Sequence, residues 1–388
     1  MTQLISTLDD FATCLKNKEQ IDAILLDFSK AFDKVDHEGL LLKLEHLGIR
    51  NSLFYWIRSF LVGRKQRVVV EGVASEPSDV LSGVPQGTVL GPLFFLIYIN
   101  DIAQGLSKGT VLKLFADDSL LYRVIKSPRD REILQRDLDL LQNWEKKWKM
   151  EFHPGKCQHM QITNKKDPLP SIYNIHGVPI SITDSAKYLG VVIDAKLKWK
   201  HHYSDIVKKC NSTLAFIRRN LNKAPKNIKA GCYTVLVRPR AEYACAVWDP
   251  HHQVDIENLE KIQNRAARYV TGNYKMESGN TKVNLDQLNW PTLEERRLQT
   301  KLSIFQKARL KQIDIPTDHL KFKSRPTRQG GDGQTYQKYF SNIDSHRYSF
   351  FPHTTDLWNK LPLEVRLEQN IEIFTSKVKN IDLASLKY

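Results

Sequence analysis

Disulfides, structural zinc and a membrane span have little to build on in this sequence. Its five cysteines, Cys14, Cys157, Cys210, Cys232 and Cys245, are odd in number and far apart. With no CxxC pair and no Cys/His cluster at zinc-finger spacing, they argue against a disulfide framework and a structural zinc site. The longest nearly continuous apolar run, 89–99, is too short to cross a bilayer. The first twenty residues lack the basic, apolar and small-residue segments of a secretory signal, and no internal repeat is found. What is present is the composition of a folded chain: 41% hydrophobic, 10% aromatic and 26% charged residues over 388 positions, enough for two to three domains. The expectation is a soluble, intracellular protein with no membrane partner, nucleus and cytoplasm not being distinguished and oligomeric state not being read.

Charge is plentiful but uneven. The formal net charge of +15 comes from residues after 120, because the first 120 carry a slight acidic excess. Between Lys187 and Arg240 stand thirteen basic residues and only two acidic ones, Asp194 and Asp205, interleaved with Tyr188, Trp199, Tyr203, Phe216 and Tyr233. Such a stripe suits a polyanion whose phosphates release counterions on binding; a solvated basic surface explains it equally well.

The apolar run 23–26 ends at Asp27 and reads as a buried strand that delivers a carboxylate. Asp36 caps a helix whose Leu40, Leu44 and Leu47 share a face, with Gly48 as its stop. A second helix over 52–61 presents Leu53, Trp56, Ile57 and Phe60. Residues 66–71 are strand-like, with a return near 79–82. The segment 86–102 is a mostly apolar helix that tolerates Pro92 only in its first turns. Residues 112–122 form a hairpin turning at Asp117-Asp118, and 131–150 an amphipathic helix. Strands are expected near 158–163, 173–175, 178–180 and 188–193, then helices such as 256–270 and 293–310, with a Gly-rich linker over 325–337. The order indicates an α+β first half and a mainly helical second half.

Asp117 and Asp118 are adjacent at a hairpin tip. Two like charges at about 4 Å cost on the order of 4 kcal/mol at an effective dielectric near 20 unless a cation neutralises them. With Asp27 on another strand end, a sheet can assemble three hard oxygen ligands of the kind that hold Mg²⁺ and leave positions for substrate phosphates. Two such ions about 3.5–4 Å apart suit phosphoryl transfer. A plain acidic turn is the alternative reading of the pair.

In order along the chain stand AILLDFSKAFDKVDH, SGVPQGTVLGPLFFLIYINDI and LKLFADDSLLY. Together they resemble the A, B and C motifs of reverse transcriptases, most closely those of non-LTR, LINE-type retrotransposons of the jockey kind. KYLGVVIDAKLKW resembles that family's primer grip, and RPRAEYACAVWDPH and SFFPHTTDLWNKLP resemble segments downstream of its polymerase domain. The resemblance implies a right-hand polymerase palm, an antiparallel sheet with packed helices and partial fingers over 1–195. It further implies a thumb-like basic helical region over 196–275, and leaves 276–388 without a role.

The implied activity is RNA-directed DNA polymerisation, the transfer of a dNTP to a primer 3′-OH on an RNA template. Asp27, Asp117 and Asp118 would bind two Mg²⁺, with Mn²⁺ as substitute, aided by the Phe28 carbonyl. Phe32 would be the steric gate against a ribose 2′-OH, with a plain core role as its competitor. Gln86 and Gly87 would contact nucleotide and template, glycine allowing close backbone approach. Lys156 would protonate pyrophosphate, with an ordinary exposed lysine as the competing reading; Lys187, Tyr188, Leu189 and Gly190 would place the primer end; Arg64, Lys65 and Arg67 would touch template phosphates, with a loop of solvated charges as the competing reading. Nothing ahead of Asp27 matches the family's endonuclease or most of its fingers. The expectation is therefore an N-terminally truncated chain that grips metal and nucleic acid but extends primers poorly, the alternative being a catalytically inactive nucleic-acid-binding remnant.

Overall fold

The computed structural model describes residues 1–275, 277, 279–322, 335–383 and 386; most of the linker expected over 325–337 lies outside them. Two compact units result, Lys18–Tyr188 and a helical unit made of Met1–Asn17 with Leu189–Tyr388. The first helix, α1 (Thr2–Lys16), is thus part of the helical unit.

In the unit Lys18–Tyr188, strand β1 (Gln20–Leu26) is buried along nearly its whole length, as a central strand must be. A 3₁₀ turn leads to α2 (His37–His46), which Asp36 caps by accepting the Gly39 N–H at 2.9 Å, and then α3 (Asn51–Leu61). Next comes an exposed ribbon of four two-residue strands, β2 (Lys65–Gln66), β3 (Val69–Val70), β4 (Val73–Ala74) and β5 (Ser78–Asp79). They nest as β2–β5 outside β3–β4. Helix α4 (Leu90–Ile99) carries Pro92 at its third position, where no intrahelical N–H bond is lost.

Strands β6 (Thr110–Phe115) and β7 (Asp118–Val124) follow, then α5 (Pro128–Trp148), opened by a Ser127/Asp130 capping box. The chain continues through β8 (Gln158–Thr163), the small pair β9 (Asn174–Ile175) and β10 (Val178–Pro179), then β11 (Ser181–Ile182) and β12 (Ser185–Tyr188). The main sheet has the order β11-β8-β1-β7-β6, antiparallel except where β11 joins β8. Ile24, Leu26 and Leu121 face one way, into a core shared with Leu40, Phe95, Tyr98, Leu138 and Trp144 of α2, α4 and α5. Period-2 alternation then puts Asp27 and Asp118 on the opposite face.

In the helical unit, β13 (Val191–Asp194) precedes α6 (Lys200–Asn220), whose His202, Tyr203, Ile206, Cys210, Leu214 and Ile217 are buried. Then come α7 (Lys226–Cys232), a π-helical turn (Tyr233–Val237), α8 (Arg238–Glu242), α9 (Cys245–Trp248) and α10 (Gln253–Thr271). The chain ends through α11 (Asn280–Gln287), α12 (Leu293–Arg309), α13 (Asp344–Arg347), α14 (Phe350–Lys360), α15 (Leu363–Arg366) and α16 (Ile371–Lys379). Helix α1 packs on α9, α13 and α14. Asp249 sits between the buried Arg297, at 2.8 Å, and Lys301, at 3.0 Å. Among the described residues no helix is long and apolar enough to cross a membrane.

Candidate active site

The last registered pair of β1 and β7 is Leu26 with Ser119, so Asp27 and Asp118 are the next positions on adjacent strands. The β6–β7 turn falls one residue earlier than the pattern of carboxylates indicates. It consists of Ala116 and Asp117, while Asp118 opens β7 opposite Phe115. Ala116 has φ 52°, a left-handed conformation that presents Asp117 at the tip. Asp118 responds to this company. Desolvation first, and then the charges of Asp117 and Asp27, hold its carboxyl above the ordinary range, with Lys187 acting in the opposite sense.

Asp27 is fixed by a second contact. Its carbonyl accepts the His153 N–H at 2.8 Å, Ser29 N donates to Glu151 O at 2.8 Å, and Phe28 stacks on Phe152 at 4.4 Å. That pairing brings the following turn close, and Lys156 Nζ lies 3.6 Å from Asp27 Oδ1. Two cations, Lys156 and Lys187, therefore attend the three carboxylates. Among the described residues no three His, Cys, Asp or Glu side chains stand close enough to hold a metal ion. The donor set still fits a hard divalent ion, since all its ligands are carboxylate oxygens and repulsion among them already disfavours the ionised form of Asp118.

The 82–91 turn lies against the loop after β1. Val84 N donates to Phe32 O at 2.9 Å, Gly83 N to Val35 O at 2.8 Å, and Ser82 Oγ to Asp33 O at 2.8 Å. A Cβ on Gly83 would meet Asp33 Cα and O at 2.9 Å, and one on Gly91 would meet Pro85 O at 2.5 Å. These two glycines allow the turn's close packing on the chain itself. Gly87 itself has φ 78° and open space where a Cβ would be. Gln86 is exposed, its amide donating to Asp33 Oδ1 at 3.0 Å. Phe32 is half-buried and stacks on Phe95 of α4 at 4.5 Å, so it has a packing role whatever else it does.

Arg64 does not reach outward as expected. Its guanidinium donates to Gly83 O at 2.8 Å and Leu61 O at 2.8 Å, and lies 3.3 Å from His37 Nε2, which itself contacts Gly83 O at 2.9 Å. Lys65 and Arg67 are exposed on the ribbon. Asp33, His37 and the inward role of Arg64 were missed in the sequence; the only signal was their place inside the first motif and just ahead of the second.

Residues 2–193 match the family model described as reverse transcriptase (RNA-dependent DNA polymerase). This stretch of the chain belongs to the reverse transcriptase family. The sheet with its helices on one face is the palm of a right-hand polymerase, in an α+β chain. A probable RNA-directed DNA polymerase from transposon X-element of Drosophila melanogaster is 30% identical over 277 residues, covering 70% of this chain and 30% of the relative. The RNA-directed DNA polymerase from mobile element jockey of Drosophila funebris is 32% identical over 268 residues, covering 66% and 29%. The chain spans about three tenths of the length of these relatives. A solved structure of telomerase from Candida albicans, in complex with the TWJ fragment of telomeric RNA, aligns over 78% of this chain and 52% of that one, with 13% identity and a TM-score of 0.37.

The residues expected to form a primer grip stand where β12 ends. Tyr188 is buried and ends β12, while Leu189 and Gly190 turn with φ 45° and 80°. In the helical unit, Tyr243 donates its hydroxyl to Leu189 O at 2.9 Å, and Val192 N donates to His202 Nδ1 at 3.2 Å.

Proposed function

We propose that this chain is the polymerase portion of a non-LTR retrotransposon reverse transcriptase, transferring dNTPs to a primer 3′-OH on an RNA template. The observation that carries this reading is that Asp27 and Asp118 stand at adjacent strand ends, with Asp117 at the tight turn beside them. Asp27, Asp117 and Asp118 would hold two Mg²⁺ or Mn²⁺, with the Phe28 carbonyl as a further ligand. Bound there, the ions supply activation of the attacking hydroxyl and neutralisation of phosphate charge.

The protein's own groups supply the rest. Lys156, resting on Asp27, is a proton donor to departing pyrophosphate. Phe32, held by Phe95, closes the space a ribose 2′-OH would need. Asp33 orients the Gln86 amide beside the open side of Gly87, where nucleotide and template would lie. Lys187, Tyr188, Leu189 and Gly190 set the primer end, and the basic stretch to Arg240 tracks the duplex as a thumb. In functional terms the reverse transcriptase domain is 1–195 and the thumb 196–275, while 276–388 has no assigned chemistry.

Primer extension on poly(rA)/oligo(dT) with dTTP and Mg²⁺ or Mn²⁺ tests the reading. Extension by the wild type, lost in the Asp117→Ala, Asp118→Ala double variant, supports it. Extension that survives the double variant sinks it.

A further inference from the structure

Helix α4 is apolar all round: none of its residues, LGPLFFLIYI, is charged, and Tyr98 alone carries a polar side-chain atom. A helix of that composition belongs inside a protein. Phe94, Phe95, Tyr98 and Ile99 are indeed buried, yet Leu93 and Leu96 are 50% and 53% exposed. The neighbouring α2 shows the same feature, with Leu42 and the following Leu47 60% and 62% exposed. Between these two helices and the end of α5 runs a groove of about 730 Å³ lined by Leu42, Leu47, Leu96, Ile97 and Trp148. Single exposed leucines are ordinary on a surface, whereas a set gathered in one groove marks an interaction site.

The polar groups around the groove define what fits it. Lys43 donates to Asp101 Oδ1 at 2.6 Å and to Tyr98 O, and its Nζ lies 3.7 Å from the Trp148 ring centre. The Trp144 indole N–H donates to the same Asp101 oxygen at 2.8 Å. Asp101 is the one carboxylate in the lining among the described residues, and it is engaged by these two donors. Lys147 is exposed, its Nζ 5.2 Å from the Trp148 ring, and forms no ion pair among the described residues. Lys43, Lys147 and Asp101 therefore sum to one positive charge, to which the exposed His46 adds when protonated. The complement of such a lining is an apolar stripe with acidic flanks. Its form follows from the lining as well: Leu93, Leu96, Ile97 and Asn100 recur at helical spacing, and α4 packs on α2. A third helix seats in a two-helix groove by the ridge-and-groove fit that packs helices within proteins.

We infer that this groove docks an acidic amphipathic helix of a partner protein, its apolar side chains packed on Leu42, Leu96 and Ile97 and its carboxylates facing Lys147 and His46. A second copy of this chain is a poorer match. The outward apolar helix of the same unit, α3, exposes Leu53, Tyr55 and Trp56 but carries Arg58 and no acidic residue. None of the groove's residues belongs to the set proposed to act in polymerisation. An occupant there tethers the protein without filling the active site, and the inference does not depend on the polymerase reading.

The test uses the full chain and a labelled helical peptide of about 18 residues, with leucines at i, i+3 and i+7 and glutamates flanking them. Two controls accompany it: the same peptide with every glutamate replaced by glutamine, and a scrambled peptide of the same acidic composition. Fluorescence anisotropy reads binding, and sedimentation reads the oligomeric state. The patterned acidic peptide is expected to bind about 10-fold or more tightly than either control. Leu96→Gln should weaken it about 5- to 10-fold and Lys147→Glu about 3- to 10-fold. Both side chains are half-exposed or more, so both variants should keep the wild-type melting temperature. No binding of the patterned peptide, equal binding of the scrambled one, or wild-type affinity in both variants overturns the docking site. A dimer that Leu96→Gln dissociates overturns the acidic partner in favour of a second copy.

Discussion

Asp118 pays for its position in the resting protein. Its carboxyl is held above the ordinary range, by desolvation first and by Asp117 and Asp27 next, so its charged form is disfavoured in the folded state. A folded pKa raised in this way means stability that is present at low pH and declines as pH rises through the carboxylate range. Asp118→Asn should therefore melt slightly above the wild type at pH 7 without divalent ions, a gain of less than about 1 kcal/mol in so solvated a site, and the gap should close on acidification. With 10 mM Mg²⁺ or Mn²⁺ the order should reverse, because only the wild type gains from ion binding; thermal melting across pH and ion concentration reads all three arms.

Phe32 gives a second test at this scale. Phe32→Val should lose about 1–2 kcal/mol through its stack on Phe95 and raise ribonucleotide use relative to deoxynucleotide by about 10-fold or more, measured as a ratio of kcat/KM. The places of the three aspartates, one at a strand end and two at a hairpin turn, were legible in the sequence because apolar strand-like runs flank them. Asp33, Tyr243 and the inward turn of Arg64 were not, since each acts through a backbone carbonyl or amide partner far along the chain.

Among the elements, the 82–91 turn depends on a latch built from α2 and the end of α3. His37 and Arg64 converge on one acceptor, Gly83 O, so Arg64→Gln should cost about 1–2 kcal/mol and speed amide exchange over 83–88 while leaving β1 protected. Gly91→Ala is harsher, because its Cβ would meet Pro85 O at 2.5 Å; denaturant unfolding should show a loss of about 1–3 kcal/mol. Most elements were readable from periodicity: α2 with its Asp36 cap, β8 and α12 fall where the pattern puts them. The four-strand ribbon was only half readable. Val69, Val70 and Val73 are exposed, so it has no buried face to stamp an alternating pattern on the sequence, and its nested pairing comes from the Glu71-Gly72 turn, φ 49° and 84°.

On the scale of the whole molecule, the partners of α1 were illegible, because its apolar stripe fits any helical neighbour and the true ones, α9, α13 and α14, lie far along the chain. Asp9 of α1 lines a small cleft with Asp249, His251 and Asp344. Burial first, and Asp10 second, push its carboxyl up to about 7 from the ordinary 3.8. The folded state thus keeps a proton that the unfolded chain has lost, and stability falls as pH rises from about 4 to about 7. Asp9→Asn should flatten that part of the stability profile, the difference in melting temperature between variant and wild type growing between pH 5 and 8; a pH-independent difference would show that Asp9 is solvated and α1 differently seated.

The membership of α1 makes the palm an insertion. In topological terms the chain enters the helical body, leaves it after Asn17 to build the sheet, and re-enters at Leu189. A gene that joins 1–17 to 189–388 through a short flexible linker would encode the host without its guest, whereas one that starts at 189 would leave the seat of Ile5, Leu8 and Phe11 open to water. Transplanting or trimming such a protein by cutting at the edge of its best-known motif would therefore damage the half that holds none of the three aspartates.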